Sequence, residues 1–426
     1  MTRLNELINE LCPDGVEYID FFSLCNYIRG ITYNKTNEIN DGSVGIKVLR
    51  ANNITLETNS LNFEEVKIVS PDVKIKASQW LKYQDILICA GSGSKEHIGK
   101  VAYIFNDMNF TFGGFMGVIR PKGDSLNSRF LFHILTSDIF KRHLAKTSGA
   151  ASATINNINN DTWKNFKIPV PPLPVQEEIV RILDKFTSLE AELEAELEAR
   201  RVQYEYYRDA LLASAGSATN GTFPVIGTAK NEVVEPVETT LGEVAKIKNG
   251  KDYKHLSEGK YTVYGSGGIM TYVNDFCYDK PSVLIPRKGS INNLFYVDEP
   301  FWNVDTVFYT EINEKIITPK YFYYLLKKEH LEKLNTAGGV PSLTQAVLNK
   351  VILSIPPLEV QRRIVNVLDN FDAICSDLKI GLPAEIDARK KQYEYYRDLL
   401  LTFAERGNTI FTEQNRTEQN RTEQMR

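Results

Sequence analysis

The chain has 426 residues, of which 42% are hydrophobic and 24% charged, so it is long enough for two or three domains with buried cores. No apolar run reaches the ~20 residues that a membrane-spanning helix needs, and the first residues lack the apolar segment of a signal peptide. The net charge of −4 and the isoelectric point near 5.9 argue against a chain that binds nucleic acid indiscriminately, but they permit a local positive surface.

The cysteines are odd in number and scattered, and none belongs to a Cys-x-x-Cys pair. They are Cys12, Cys25, Cys89, Cys277 and Cys375. This distribution favours neither a disulfide framework nor a zinc site, and it predicts a reducing, cytoplasmic location.

The first globular segment contains an apolar run at residues 85–89 that ends in a glycine-rich turn at residues 90–94. The wider stretch could be mistaken for a phosphate-binding loop. That loop requires four residues before its Gly-Lys pair and a Ser or Thr after it, whereas five residues separate Gly93 from Gly99 and Val101 follows Lys100. We therefore predict a turn between two strands.

A long helix follows, after the Pro-Pro pair at residues 171–172. Its apolar residues alternate at spacings of four and three, as in helices that pack side by side. They are Val175, Ile179, Ile182, Phe186, Leu189 and Leu193. We expect a helix of about 35 residues whose apolar seam faces a second helix, and the alternating glutamates of residues 190–198 form its solvated face.

Residues 214–236 are rich in Ser, Ala, Thr, Gly and Pro, which is typical of a linker. Beyond them the chain repeats itself. The start of the second globular segment, 242–250, corresponds loosely to 22–30, and a second strand with a glycine turn at 282–290 corresponds to 85–94. The rest of the two globular segments differs strongly.

The second helical region repeats the first almost literally. Residues 356–371 read PPLEVQRRIVNVLDNF against PPLPVQEEIVRILDKF at 171–186, and QYEYYRDLLL at 392–401 matches QYEYYRDALL at 203–212. The seam recurs at Val360, Ile364, Val367, Phe371, Ile374 and Leu378. Here Gly381-Leu382-Pro383 should interrupt the helix, which we expect to restart near Ala384.

These repeats indicate a duplicated unit of about 190 residues, a shared scaffold that carries two different globular heads. The predicted domains are head 1 (1–166), a first spacer helix (167–215), a linker (216–236), head 2 (237–352), a second spacer helix (353–405) and a disordered tail of TEQNR repeats (406–426).

The sequence offers no convincing catalytic or metal site. The histidines have no metal-ligand spacing to a Cys or carboxylate, and we find neither an Asn-Pro-Pro-aromatic methyltransferase motif nor a Gly-x-Ser-x-Gly elbow. A nuclease carboxylate cluster is not evident either. We therefore predict no catalytic residue and no metal ligand.

The paired PPL-x-x-Q-x-x-I-V-x-x-L-D-x-F and QYEYYRD motifs resemble the two repeated regions of the specificity subunits of Type I restriction–modification enzymes, and the resemblance covers residues from about 15 to 405. It implies an α+β fold: two β-rich target-recognition domains joined by two long antiparallel coiled-coil helices in a pseudo-twofold internal repeat. It also implies a cytoplasmic, non-catalytic subunit that binds no cofactor, since S-adenosylmethionine and ATP belong to its partners.

The partners that the resemblance implies are double-stranded DNA, two modification (methyltransferase) subunits and restriction (endonuclease/translocase) subunits, with no membrane. Each head would read one half of a two-part DNA target, and the helices would set the gap between the halves.

Candidate DNA contacts lie on or beside glycine turns, where small residues allow the backbone to approach and polar side chains can donate to phosphates or bases. They are Ser92, Ser94, Lys95, Lys146, Thr147 and Ser148 in head 1, and Arg287, Lys288, Ser290, Asn292 and Thr336 in head 2. An ordinary turn without a ligand is an equally good explanation for each of them.

The aromatic residues of the repeated motifs suggest a second role, in the coiled coil and in the docking of modification subunits. They are Tyr206, Tyr207, Tyr395, Tyr396, Phe186 and Phe371. Two other functions stay open: a structural coiled-coil scaffold whose heads bind proteins, and a catalytically active DNA enzyme, which the missing motifs disfavour.

Overall fold

The computed structural model describes residues 2–39, 44–55, 57–93, 95–147, 157–214, 236–335, 342–376 and 381–402. The chain divides into two compact units, the first formed by Met1–Glu192 with Asp387–Arg426 and the second by Leu193–Ile386. Each unit therefore combines one head with parts of both helical regions. The predicted tail and nearly all of the predicted linker lie outside the described residues.

The helices include one that is far longer than the others. In chain order they are α1 (Thr2–Leu11), α2 (Phe21–Leu24), α3 (Ser128–Thr136), α4 (Asp138–Thr147), α5 (Asn160–Lys164), α6 (Leu173–Ser214), α7 (Leu241–Val244), α8 (Pro319–Lys328), α9 (Gln345–Leu348), α10 (Leu358–Ser376) and α11 (Leu382–Leu401). No helix within the described ranges is both long and apolar enough to cross a membrane.

The strands are short, mostly three to six residues. Those of the first unit are β1 (Tyr18–Asp20), β2 (Cys25–Arg29), β3 (Ile46–Leu49), β4 (Lys67–Val69), β5 (Ile86–Cys89), β6 (Val101–Tyr103), β7 (Phe110–Phe112), β8 (Met116–Pro121) and β9 (Lys167–Pro169). Those of the second unit are β10 (Val237–Thr240), β11 (Ala245–Asn249), β12 (Glu258–Gly265), β13 (Gly268–Val273), β14 (Ser282–Pro286), β15 (Phe295–Val297), β16 (Phe301–Asn303), β17 (Val307–Ile312) and β18 (Ile352–Ile355).

The two heads share one sheet topology. Head 1 has a four-stranded antiparallel sheet in the order β2-β8-β5-β6 and a three-stranded sheet in the order β4-β3-β7, with β3 and β7 parallel. Head 2 has β11-β17-β14-β15 and β13-β12-β16, with β12 and β16 parallel. In each unit an antiparallel ribbon, β1-β9 or β10-β18, ends just before a long helix. The duplication thus extends through the heads, although their sequences match only in places.

A matching close contact confirms this equivalence at the level of the backbone. A Cβ atom added at Gly30, just after β2, would lie 2.1 Å from the carbonyl oxygen of Gly113. A Cβ atom added at Gly250, just after β11, would lie 2.1 Å from the carbonyl oxygen of Val304. Only glycine permits either approach, so these residues were correctly matched when the starts of the two segments were aligned.

Each head has a core that includes residues from both helical regions. In the first unit, Phe21 stacks on Trp163 with 4.3 Å between ring centroids, and the core extends to Leu183 of α6 and Leu400 of α11. In the second unit, the core joins head 2 to residues of α6 and α10, among them Tyr204, Leu212, Ile364 and Leu368.

Only part of the apolar seam predicted for the first helix contacts another helix. Val175 and Ile179 are fully buried in the core of the first unit together with Leu183, whereas Leu189 is 36% exposed. The spacing of four residues from 175 to 183 is that of a helix packing on a compact domain. The prediction that the whole seam faces a second helix was therefore wrong for its first turns.

The interruption in the second helix occurs where it was predicted. Helix α10 ends at Ser376, and α11 begins at Leu382, so Pro383 occupies the first turn of α11, where its missing N–H costs nothing. The first helix is continuous for 42 residues, longer than predicted.

Candidate nucleic-acid interface

A buried glutamine of each repeated motif fixes a head to its long helix. Gln176 accepts a hydrogen bond from the Asn127 amide at 2.8 Å and donates to the Ser125 carbonyl at 2.9 Å. Gln361 accepts from the Thr318 amide at 2.8 Å in the same way. Both side chains are fully buried, and each forms hydrogen bonds with backbone groups of the loop that precedes α3 or α8.

An aspartate eight residues further along the first helix joins three elements of the first unit. Asp184 accepts hydrogen bonds from Arg129 and from Nε2 of His133, each at 2.9 Å. Nδ1 of His133 lies 3.1 Å from the Tyr393 hydroxyl of α11. Since the carboxylate only accepts, Nε2 carries the proton and the tyrosine hydroxyl donates to Nδ1.

Burial lowers the pKa of His133 to about 4, and the positive charge of Arg129 acts in the same direction. The histidine is therefore neutral at pH 7. Burial by itself raises the pKa of Asp184, but the hydrogen bond from His133 and the charge of Arg129 outweigh it, so the carboxyl stays ionised.

The second unit places different residues around the equivalent aspartate. Asp369 accepts a hydrogen bond from the Tyr324 hydroxyl at 2.6 Å and forms an ion pair with Lys320 at 3.0 Å, both from α8. Tyr204 of α6, the counterpart of Tyr393, is buried in the same core. Thus the QYEYYRD motif of each copy packs on the head of the other copy.

Aromatic stacks connect the helices within each unit. Phe186 of α6 stacks on Tyr396 of α11 with centroids 5.4 Å apart, and Tyr207 of α6 stacks on Phe371 of α10 at 5.9 Å. Glu190 of α6 also pairs with Lys390 of α11 at 3.6 Å. Residue numbers therefore rise along α6 as they fall along α11. The helices therefore run antiparallel, as predicted. The first tyrosine of each Tyr-Tyr pair points outward, with Tyr206 66% and Tyr395 50% exposed.

The glycine turn of head 1 borders a cleft of about 450 Å³. The turn leads from β5 to its antiparallel neighbour β6, as predicted, and the amide of Gly91 donates to the Phe115 carbonyl at 2.9 Å. The cleft is lined by Arg50, Ala51, Asn52, Glu65, Gly91, Ser92, Gly93, His97, Gly113, Phe115 and Met116. Among them Phe115 is 68% exposed.

A buried asparagine shapes the segment that supplies two polar residues to this cleft. The Asn53 side chain accepts from the Arg50 amide at 2.9 Å and donates to the Asn62 carbonyl at 3.0 Å. It therefore holds the turn on which Arg50 and Asn52 are presented. Nε of Arg50 is buried and has no hydrogen-bond partner within the described part of the chain.

The glycine turn of head 2 holds its arginine in place. The Arg287 amide donates to the Thr306 carbonyl at 2.9 Å, and its guanidinium lies 5.2 Å from the centroid of the Phe308 ring. Lys288 and Ser290 are exposed beside Gly289, whose φ of +81° favours glycine. Arg287, Lys288 and Ser290 thus lie on one turn.

The remaining candidates are dispersed. Asn292 lines a separate hollow of about 270 Å³ beside Glu205 and Arg208 of α6. Lys146 is exposed at the end of α4, where the Thr147 hydroxyl donates to the His143 carbonyl at 3.0 Å. Ser94, Ser148, Thr336 and the side chain of Lys95 lie outside the described residues.

Arg50, Asn52, His97 and Phe115, which line the cleft of head 1, were not singled out from the sequence. The available signal was a cation and two amides directly after the apolar strand β3, in a loop, where ligand-binding residues are common. No group of three or more His, Cys, Asp or Glu residues within the described ranges could hold a metal ion.

Two heads of one topology with differently lined turns, built on one duplicated helical scaffold, define a modular recognition protein with two heads. The model of the type I restriction modification DNA specificity domain matches the chain twice, at residues 13–199 and 234–388. The chain belongs to this family and is a DNA specificity subunit of a type I restriction–modification system, which confirms the predicted family and function.

Curated relatives support this assignment. A protein of Haemophilus influenzae assigned as a type I restriction enzyme specificity subunit is 32% identical over 297 residues, 66% of this chain and 74% of that protein. The EcoR124I/EcoR124II specificity subunit of Escherichia coli is 33% identical over 275 residues, 58% of this chain and 65% of the relative.

Solved structures show the same fold. A chain from a structure of the type I R-M system has a TM-score of 0.60 and 17% identity, and the match covers 91% of this chain and 98% of that one. The S subunit of M. genitalium has a TM-score of 0.51 and 18% identity, with 91% and 97% covered. They confirm the predicted α+β fold, with β-rich domains and coiled-coil helices.

Proposed function

We propose that head 1 and head 2 each read one half of a two-part DNA target, and that the long helices set the gap between the halves. The observation that carries this proposal is that one topology, anchored by equivalent Gln and Asp residues, presents different side chains at equivalent turns. A scaffold whose heads bind proteins does not require a repeated topology with different side chains at equivalent turns.

The proposed domain boundaries are those predicted from the sequence repeat. Head 1 comprises 1–166 and head 2 comprises 237–352, with spacer helices at 167–215 and 353–405, a linker at 216–236 and a tail at 406–426. The DNA contacts proposed from sequence are those on the glycine turns, with Arg287, Lys288 and Ser290 favoured because they lie together.

The chain performs no catalysis in this proposal. Two modification subunits would supply the methyltransferase activity and restriction subunits the endonuclease and translocase activities. The outward Tyr206 and Tyr395 occupy equivalent exposed positions, one in each unit, which fits docking of two copies of the same partner. The chain alone should neither methylate nor cleave DNA. A gel-shift with and without a modification subunit should show sequence-specific binding mainly in the complex.

The gap between half-sites is tested by inserting one helical turn within residues 189–199 of α6. Four extra residues add about 6 Å of helix, close to the length of two base pairs, so the tolerated gap should grow while both half-sites keep their bases. The measurement is genome-wide mapping of methylated sites in cells that carry the variant and its modification partner.

A four-residue insertion within the linker at 216–236 is the matched control, and it should leave the gap unchanged. Altered half-site bases after the helix insertion, with the gap preserved, would contradict the role of the helices as spacers.

A further inference from the structure

The matching registers of the heads permit a comparison of single positions around the glycine turns. The last residue of β5 pairs with the first residue of β8, and the last residue of β14 pairs with the first residue of β17. The residues that follow, Ala90 and Arg287, are therefore equivalent. Their backbone contacts agree: Ala90 donates its amide to Phe115 at 2.8 Å, and Arg287 donates its amide to Thr306 at 2.9 Å.

A second pair of equivalent positions lies at the end of the central strand of each three-stranded sheet. Leu49 pairs with the last residue of β7, and Tyr264 pairs with the last residue of β16. In head 1 the amide of Gly113, which follows β7, donates to the Leu49 carbonyl at 2.9 Å. In head 2 the amide of Val304, which follows β16, donates to the Tyr264 carbonyl at 3.0 Å. The residues that follow, Arg50 and Gly265, are therefore equivalent as well.

At each of these two positions, one head has an arginine and the other has a small residue. Head 1 has Arg50 after the central strand and Ala90 after β5, whereas head 2 has Gly265 and Arg287. Each head therefore has one arginine across these two positions, and a different position supplies it in each head. In both arginines Nε is buried without a hydrogen-bond partner within the described part of the chain.

We propose that Arg50 and Arg287 are the base-reading side chains of the two heads, each recognising a guanine in its own half of the target. This inference rests on the proposed function, because it assigns the residue with which each head reads DNA.

Both arginines are restrained, which favours reading a base over neutralising a phosphate. Arg50 lies half-buried in its cleft beside Asn52, and Arg287 is held over the ring of Phe308 at 5.2 Å. A guanidinium fixed in one plane donates two parallel hydrogen bonds to the O6 and N7 atoms of guanine. A flexible exposed lysine neutralises a phosphate equally well at many positions, so that role would not require this restraint.

The test compares the methylation motifs of full-length variants assembled with their modification subunits in cells. Arg50→Ala should relax the requirement for guanine at one position of one half-site, and Arg287→Ala should do the same in the other half-site. The loss of discrimination at that position should be roughly 5- to 150-fold. Arg50→Lys and Arg287→Lys keep the charge and most of the bulk but lose the planar fork, so they should relax the same positions.

Exposed lysines on the same heads, Lys82→Ala and Lys280→Ala, are the matched controls and should leave both half-sites intact. Slower methylation at an unchanged motif in the arginine variants would indicate a phosphate contact and overturn the proposal. Relaxation of the same half-site by the Arg50 variant and the Arg287 variant would also overturn it. If an alanine variant does not assemble, the lysine variant decides. Failure of the unaltered chain to direct methylation to any two-part motif would instead refute the proposed function.

Discussion

His133 is a single side chain on which the attachment of α11 to head 1 depends. Its two ring nitrogens face Asp184 of α6 and Tyr393 of α11, so of the two neutral tautomers only the one with the proton on Nε2 satisfies both contacts. Protonation of Nδ1 would turn the tyrosine hydroxyl from donor to acceptor and add a buried positive charge next to Arg129. The histidine therefore makes the first unit sensitive to pH.

Stability should fall as the pH drops from about 6.5 to about 4. In this window the unfolded chain binds a proton at His133 but the folded protein does not, because burial lowers the histidine pKa to about 4 from an ordinary value of 6.5. The loss between pH 7.5 and 5.0 should be about 2 kcal/mol. Urea unfolding of the unaltered chain and of His133→Gln at both pH values measures it, since the glutamine can keep both hydrogen bonds without titrating. An equal pH dependence for the two proteins would exclude this origin.

The local sequence pattern singles out Arg287 but not Arg50, for a physical reason. Arg287 follows an apolar strand and precedes a glycine, so both its strand-end position and its turn are visible in the sequence. Arg50 has no glycine beside it, and its turn depends on hydrogen bonds from Asn53 to a segment about ten residues away. Such contacts cannot be derived from a local pattern.

The helical elements were the most predictable part of the molecule, because a repeated apolar spacing survives duplication. Their existence, antiparallel direction and interruption at Gly381 were all predicted. What the pattern did not show was the change of partner along α6: the head core is the partner at Ile179, and the opposing helix is the partner at Phe186. A spacing of three or four residues is common to both kinds of packing.

Two substitutions in the predicted seam separate these contacts. Phe186→Ala removes the stack on Tyr396 and should lower the free energy of unfolding by about 2 kcal/mol, below the range for a fully buried phenylalanine because the ring is half-buried. Leu189→Ala, three residues further on and 36% exposed, should cost less than about 1 kcal/mol. Equal losses in urea unfolding would mean that Leu189 also belongs to the helix contact.

At the scale of the whole molecule, the internal repeat was predictable from the helices but not from the heads. Strands of three to six residues carry little periodicity, and the parallel pairing of β3 with β7 joins residues more than sixty positions apart. The pairing registers show that head 1 and head 2 have the same fold with different residues at the strand ends.

The equivalence of the two attachments leads to a prediction for the complete chain. A hybrid in which head 1 also replaces head 2 should fold, because Gln361, Asp369 and Tyr204 offer it the side chains that Gln176, Asp184 and Tyr393 offer in the first unit. Each copy of head 1 should read the same bases, so the target should contain the head 1 half-site twice. Mapping methylated sites with the modification subunit present measures this outcome. Retention of the original second half-site would show that the attachments are not equivalent.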